Sequence, residues 1–217
     1  MSELQQTIPI KIIMVGAMNV GKTSLVTRYI TGKHPGQTKT TKNASYVSKH
    51  KSKNGFNFEI KLWDTAGQEK YKSLTTLFTK DAKIAILVYA IDSEDSFKEL
   101  DEWLKLVKSI NDESLILGIA ANKSDLASQT TISEERGMEY AKKIGAEWKS
   151  TSALIENGGI EEFIDVLFEK YYDKNFNLNA TTSLSLTISM EDSKMHKGGC
   201  CSTGGNNHGN KKEGKSK

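Results

Sequence analysis

The sequence predicts an α/β domain: a mostly parallel, six-stranded sheet with helices on both faces. Three observations carry that reading. Short apolar runs of strand length alternate with segments of helical periodicity from about residue 8 to residue 172. One Asn-Gly hairpin signal, within Lys53-Asn54-Gly55, supplies a single antiparallel pair in an otherwise βα-alternating chain. Both cysteines, Cys200 and Cys201, lie near the C-terminus, so packing alone must hold the domain, as in a reducing compartment.

The elements follow in order. Ile10–Val15 reads as a buried strand and Lys22–Thr31 as a helix, followed by a polar loop over Lys33–Asn43. Ala44–Lys51 and Phe56–Trp63 form the hairpin. Ile84–Ala90 and Leu115–Ala121 are buried strands. Between them Phe97, Leu100, Leu104, Val107 and Ile110 recur at helical spacing, with Asp92 or Ser93 as N-cap. Ser133-Glu134-Glu135-Arg136 opens a helix carrying Met138, Tyr140, Ala141 and Ile144, which Gly145 can end. Glu147–Thr151 is a short last strand. Ile160, Phe163, Ile164, Val166, Leu167 and Tyr171 line a final amphipathic helix. The expected organisation is an N-terminal arm over 1–8, a domain over 9–172 and a tail over 173–217.

Composition suits one globular domain plus a tail: 217 residues, 37% hydrophobic, net charge +3. The tail turns to Asn, Ser, Thr, Gly and Lys and reads as disordered. From Lys194 onward six lysines face one glutamate, a charge that a membrane or a nucleic acid would answer and that a merely solvated tail would also carry. Ser183–Met190 alternates apolar and polar residues, as an edge strand or a segment captured by a partner would, although chance alternation is the favoured reading. No secretory signal is expected, because the first apolar stretch is broken by Lys11. The longest uninterrupted apolar run, Ile84–Ile91, has eight residues and is too short to span a bilayer.

Three motifs carry chemistry. Gly16-Ala17-Met18-Asn19-Val20-Gly21-Lys22-Thr23 fits the G-x-x-x-x-G-K-[ST] phosphate loop and stands between a strand and a helix, the context that pattern requires. Its glycines let backbone wrap an anion closely, and loop and helix N–H groups point at phosphate oxygens. Lys22 is placed for the β- and γ-phosphates of a nucleoside triphosphate, and the Thr23 hydroxyl for Mg²⁺. Trp63-Asp64-Thr65-Ala66-Gly67-Gln68-Glu69 closes the third strand. A carboxylate there can hold Mg²⁺, a flexible glycine can follow the γ-phosphate, and the next residue can position a nucleophile. Asn122-Lys123-Ser124-Asp125 closes the fifth strand, where an aspartate can accept two hydrogen bonds from guanine, a pair adenine does not offer. Each tetrapeptide alone also reads as surface turn chemistry; their order, each at a strand end, does not.

With these motifs the chain resembles the small GTPases of the Ras superfamily, most of all the Rab branch, over roughly residues 8–172. Lys61-Leu62-Trp63, the aromatic trio Tyr46, Trp63 and Phe78, and the Cys200-Cys201 pair are similar to Rab features, and the surroundings of Ser73-Leu74 and Ala121-Asn122-Lys123 to endosomal Rabs. The resemblance implies a phosphate-loop NTPase fold of the small G-domain type. It implies slow hydrolysis of GTP to GDP and phosphate, and a nucleotide-dependent switch that recruits effectors in vesicle trafficking. By position, Gly16, Asn19, Val20, Gly21, Lys22, Thr23 and Ser24 hold phosphate, and Asn122, Lys123 and Asp125 read guanine. Ser152 and Ala153 close over the base, and His34 stands where the family stacks a ring on it. Thr23, Thr41 and Asp64 support Mg²⁺, with Thr40 as an alternative register to Thr41. Gly67 donates to the γ-phosphate, and Gln68 orients the attacking water as the catalytic residue. Tyr46, Trp63 and Phe78 form an effector face, and Cys200 and Cys201 carry lipid. The implied partners are guanine nucleotide, an exchange factor, a GTPase-activating protein, an escort or dissociation inhibitor, effectors and a membrane, with no nucleic acid. The implied place is the cytoplasm and the cytoplasmic face of endomembranes, including endosomes and vesicles.

The chain departs from that family at several points. Lys42-Asn43 replaces Ile-Gly, His34 replaces Phe, Leu154 replaces Lys, and Met18 stands where a small residue faces the γ-phosphate and an incoming arginine. Sixteen residues, Ser202–Lys217, follow the cysteine pair, so S-acylation, trimming or an unmodified tail stand beside prenylation. These departures motivate a rival expectation, a GTP-binding scaffold with little or no hydrolysis. A nucleotide kinase or ATPase would share only the phosphate loop.

Overall fold

The computed structural model of the protein describes residues 7–34, 36, 45–65, 78–111 and 114–177. Contacts divide the chain into two units, 1–175 and 176–217. Among the described residues the first unit holds six strands: β1 (Thr7–Val15), β2 (Ser45–Lys53), β3 (Phe56–Asp64), β4 (Ile84–Ala90), β5 (Ile116–Asn122) and β6 (Glu147–Ser150). They lie in the order β2-β3-β1-β4-β5-β6. Only β2 pairs antiparallel, with β3, and the other ladders are parallel. The turn between β2 and β3 has Asn54 and Gly55 both at positive φ, the backbone that a tight hairpin of this hand needs. β1 begins at Thr7, so residues 7 and 8, expected in the arm, belong to the sheet.

The helices are α1 (Lys22–Thr31), α2 (Glu94–Lys98), α3 (Leu100–Ile110), α4 (Glu134–Ile144) and α5 (Ile160–Tyr172), with a 3₁₀ stretch at Ser124–Gln129 and a π turn at Asp173–Asn177. The expected single helix around Phe97–Ile110 is two, broken at Glu99. Its cap is Ser93, whose hydroxyl accepts from the Ser96 N–H at 3.3 Å. Gly145, at φ 73°, ends α4 as expected.

Strand side chains alternate between the two faces of the sheet. On one face Ile13, Val15, Ala85, Leu87 and Tyr89 pack with Phe97, Trp103, Val107 and Ala141. On the other, a methyl group at Gly118 would meet Leu167 and Phe163 at 2.8 Å, so bare backbone lets α5 lie close on β5. Helices therefore cover both faces. Two residues expected in the core, Met138 and Val166, are 45% and 40% exposed: their helices bury narrower stripes than the sequence period alone indicates. No helix among the described residues is long and apolar enough to cross a membrane.

Candidate functional site: the phosphate loop and the loops beside it

The carboxyl ends of β1, β3 and β5 deliver the phosphate loop, Asp64 and Asn122–Asp125 to one edge of the sheet, where open α/β sheets bind ligands. Between β1 and α1 the phosphate loop runs on unusual backbone. Gly16 has φ +146°, and a Cβ there would stand 2.1 Å from the Val88 carbonyl oxygen. Gly21 has φ +94°, and its Cβ would meet Asn122 Nδ2 at 2.4 Å. Both positions exclude a side chain by conformation and by space. Asn19 is also left-handed, at φ 63°.

Lys22 begins α1 but folds back over the loop, donating to the carbonyls of Gly16 at 2.9 Å and Ala17 at 2.8 Å. Burial drives its pKa from 10.5 down to about 8, with Asp64 partly offsetting the effect. A buried ammonium held at that cost favours an anion beside it. Thr23 Oγ1 donates to Asp64 Oδ2 at 2.6 Å across the gap between α1 and β3. Among the described residues no cluster of three or more His, Cys, Asp or Glu could hold a metal. A hydroxyl and a single carboxylate fit a hard ion that takes its remaining ligands from water and phosphate, as Mg²⁺ does. Ser24 follows, half-buried, in the same helical turn.

The β5 motif is tied to this loop and to the loop after β6. Asn122 Nδ2 donates to the Val20 carbonyl at 2.7 Å, and its Oδ1 accepts from Thr151 Oγ1 at 3.3 Å. Ser152 uses its hydroxyl fully: it donates to Asp125 and accepts from the N–H groups of Leu154 at 3.1 Å and Ile155 at 3.2 Å. Lys123, left-handed at φ 66°, lies 3.3 Å from Asp92. Ala153 is buried and Leu154 is 57% exposed; Leu154 contributes its backbone to this corner, its N–H to Ser152 and its carbonyl to Arg28. Residues 16–24, 64, 122–125 and 152–153 are thus brought together. His34 is half-buried beyond α1, its Nδ1 accepting from Gly36 N–H at 3.0 Å. Met18 is 46% exposed on the rim of the loop. Thr40, Thr41, Gly67, Gln68, Cys200 and Cys201 lie outside the described residues.

Away from the loops, Tyr46 and Trp63 stack at 4.8 Å between ring centres, and Trp63 and Phe78 lie 6.1 Å apart, so the aromatic trio is continuous. Tyr46 is half exposed. Sequence reasoning missed Arg28, whose guanidinium reaches from α1 to the 153–154 backbone. An arginine in an amphipathic helix carries no mark of a partner 125 residues away.

A phosphate loop at a strand–helix junction, a hydroxyl–carboxylate pair beside it and an asparagine-linked second loop define a nucleotide-binding α/β domain. The Ras family profile matches residues 11–173. Rab-21 of Geodia cydonium is 40% identical over 162 residues, covering 75% of this chain and 71% of that protein. Mouse Rab-21 is 34% identical over 205 residues, covering 89% and 92%. Rab-5A of Dictyostelium discoideum is 31% identical over 156 residues, covering 72% and 78%. The chain belongs to the Ras family and, within it, to the Rab GTPases. It binds GTP and GDP, hydrolyses GTP and works as a switch in vesicle trafficking; a scaffold without hydrolysis is not favoured by these relatives.

Proposed function

We propose that the residues of this corner divide the nucleotide between them. Gly16, Asn19, Val20, Gly21, Lys22, Thr23 and Ser24 bind the phosphates. Asn122, Lys123 and Asp125 read guanine under Ser152 and Ala153, and His34 stacks on the base. Thr23, Asp64 and Thr41 hold Mg²⁺, which when bound neutralises charge on the β- and γ-phosphates. Gly67 donates to the γ-phosphate. Gln68 orients water so that its oxygen bonds the γ-phosphorus as the bond to the β-phosphate oxygen breaks, and the proton leaves with phosphate. Loss of the γ-phosphate releases Thr41 and Gly67, which changes the surface offered to partners.

The observation that carries this reading is the hydrogen bond from Asn122 to the Val20 carbonyl at 2.7 Å, which makes the phosphate loop and the base motif one unit. The switching unit is residues 9–172. The tail, 173–217, brings it to endosomal or vesicular membranes through lipid on Cys200 and Cys201, supported by its lysines. The aromatic trio Tyr46, Trp63 and Phe78 is the effector face. Exchange factor, activating protein and escort protein are the remaining partners.

Nucleotide competition tests the base assignment: GDP binding far tighter than ADP, with Asp125→Asn moving preference to xanthine nucleotide, is the expected result. Equal affinity for the two purines overturns it. Single-turnover hydrolysis with and without a Rab-type activating protein tests Gln68, whose replacement by Leu removes the stimulated rate. The intact mass of the protein from its native cell reads the state of the tail directly.

A further inference from the structure

We infer that Arg28 is a positioning residue for base recognition, acting through the loop it holds. This rests on the assignment of Asp125 and Ser152 to guanine. The Arg28 fork makes three donations: Nη1 to Gly32 O at 2.6 Å, Nε to Ala153 O at 2.8 Å and Nη2 to Leu154 O at 2.8 Å. The first is ordinary for a basic side chain in the last turn of a helix, where free carbonyls collect. The other two have no such local reason. They cross from α1 to two successive carbonyls of the loop after β6, at a separation of 125 residues or more.

That loop has one more fixed point. Ser152 bonds Asp125 with its hydroxyl proton and receives the Leu154 and Ile155 N–H groups on its oxygen. Residue 154 is therefore gripped on both sides: its N–H by Ser152 and its carbonyl by Arg28. Gly158 O accepts from Ser152 N–H at 2.8 Å and closes the turn behind it. The outer side of the loop has little of its own to hold it, since Leu154 and Ile155 are 57% and 47% exposed. A planar guanidinium with donors in a fixed fork suits adjacent carbonyls; an ammonium can replace one of these bonds but not their geometry. The same ten-residue helix carries Lys22 and Thr23 in its first turn. α1 thus bears phosphate ligands at one end and a clamp on the base loop near the other.

The test uses the full-length protein loaded with a fluorescent GDP. Arg28→Met and Arg28→Lys are compared with wild type for GDP dissociation rate at saturating Mg²⁺ and for the ratio of GDP to IDP affinity. IDP lacks the exocyclic amine that Asp125 reads. Arg28→Met is expected to speed dissociation roughly tenfold and to narrow the GDP-to-IDP ratio several-fold, as expected when the two charge-assisted hydrogen bonds to the base loop are lost. Arg28→Lys falls between. Dissociation within twofold of wild type overturns the proposal. So does faster dissociation with an unchanged GDP-to-IDP ratio, which is generic loosening of the fold. If Arg28→Met does not fold, Arg28→Lys decides by the same two readouts. A wild-type protein that does not discriminate GDP from IDP overturns instead the assignment of Asp125 to guanine.

Discussion

The phosphate loop and the base corner sit side by side at one sheet edge, yet they are built by opposite means. The phosphate loop is shaped by what is missing: Gly16 and Gly21 have neither the φ nor the space for a Cβ. The base corner is shaped by side chains, with Asn122, Thr151, Ser152 and Arg28 each holding a neighbouring backbone or polar group. A loop defined by backbone tolerates no side chain at Gly16 or Gly21. A corner defined by side chains degrades in steps, one hydrogen bond at a time.

Gly21→Ala gives the largest expected effect, because it touches both halves. Its left-handed backbone costs an alanine about 1–2 kcal/mol. Its methyl group also displaces the Asn122 amide, breaking a buried hydrogen bond worth about 1–3 kcal/mol. Guanine nucleotide affinity should fall at least roughly 30-fold, read by fluorescence titration. Near-wild-type binding would mean that the two halves are not coupled through Asn122.

Ser152→Ala comes next and should be graded. It strips an acceptor from two N–H groups and a donor from Asp125, a loss of about 1–3 kcal/mol. GDP affinity should drop roughly ten-fold, within that same range. The signature is a reduced preference for GDP over ADP, since the phosphate loop is untouched. An equal loss for both nucleotides would place Ser152 with the phosphates and erase the contrast.

This contrast also explains what could be read from the sequence. The phosphate loop was legible because backbone shape demands particular residues at fixed local spacing, and the Asn54-Gly55 turn and Gly145 cap were legible for the same reason. Asn122 to Asp125 could be placed at a strand end, but the Arg28 grip depends on chain segments far apart in sequence. The break at Glu99 was hidden because the apolar period runs through it: Phe97, Leu100 and Val107 are all buried despite two helices. Trp103, wholly buried on α3, joins the same stripe. Met138 and Val166 looked like core because period fixes a face and not its width.

A third region, the flank that seats α1 and α5, shows the same limit and supports a smaller prediction. Lys49, Lys51 and Lys53 on edge strand β2 pair with Glu161, Asp165 and Glu169 on α5, and each ammonium also lies over an aromatic ring, 4.2–4.5 Å from the centres of Tyr29, Phe168 and Tyr172. The rungs match because two strand residues advance about 6.6 Å and four helical residues about 6 Å. In the sequence these lysines are only the polar half of an alternating strand; they also guard an open edge. Lys51→Met keeps the stem over Phe168 and removes the charge. Because Asp165 is half exposed, the loss should be only about 0.5–1 kcal/mol, or about 1–4 °C in Tm. The GDP-to-ADP ratio should not move; a change there would make the flank part of the base corner.

The last effect is confined to high pH and isolates α1 itself. Tyr29 is buried beneath Lys49, and its pKa is raised from 10.0, first by burial and then by Asp165 and Glu161. Above pH 10 the unfolded chain gives up this phenolic proton while the folded chain keeps it. The native state then binds more protons, so the stability that Tyr29 contributes is full below pH 10 and is lost as pH rises beyond it. Tyr29→Phe removes this proton from both states. Urea unfolding of the two proteins at pH 9 and pH 11 should show a shallower decline for the variant, by at most about 1.4 kcal/mol per pH unit. Tyr89, Tyr140 and Tyr171 are raised in the same direction and remain in both proteins, so the difference in slope belongs to Tyr29. Parallel slopes would mean that Tyr29 ionises in place, and that the helix joining the two halves of the site yields on this side before the protein unfolds.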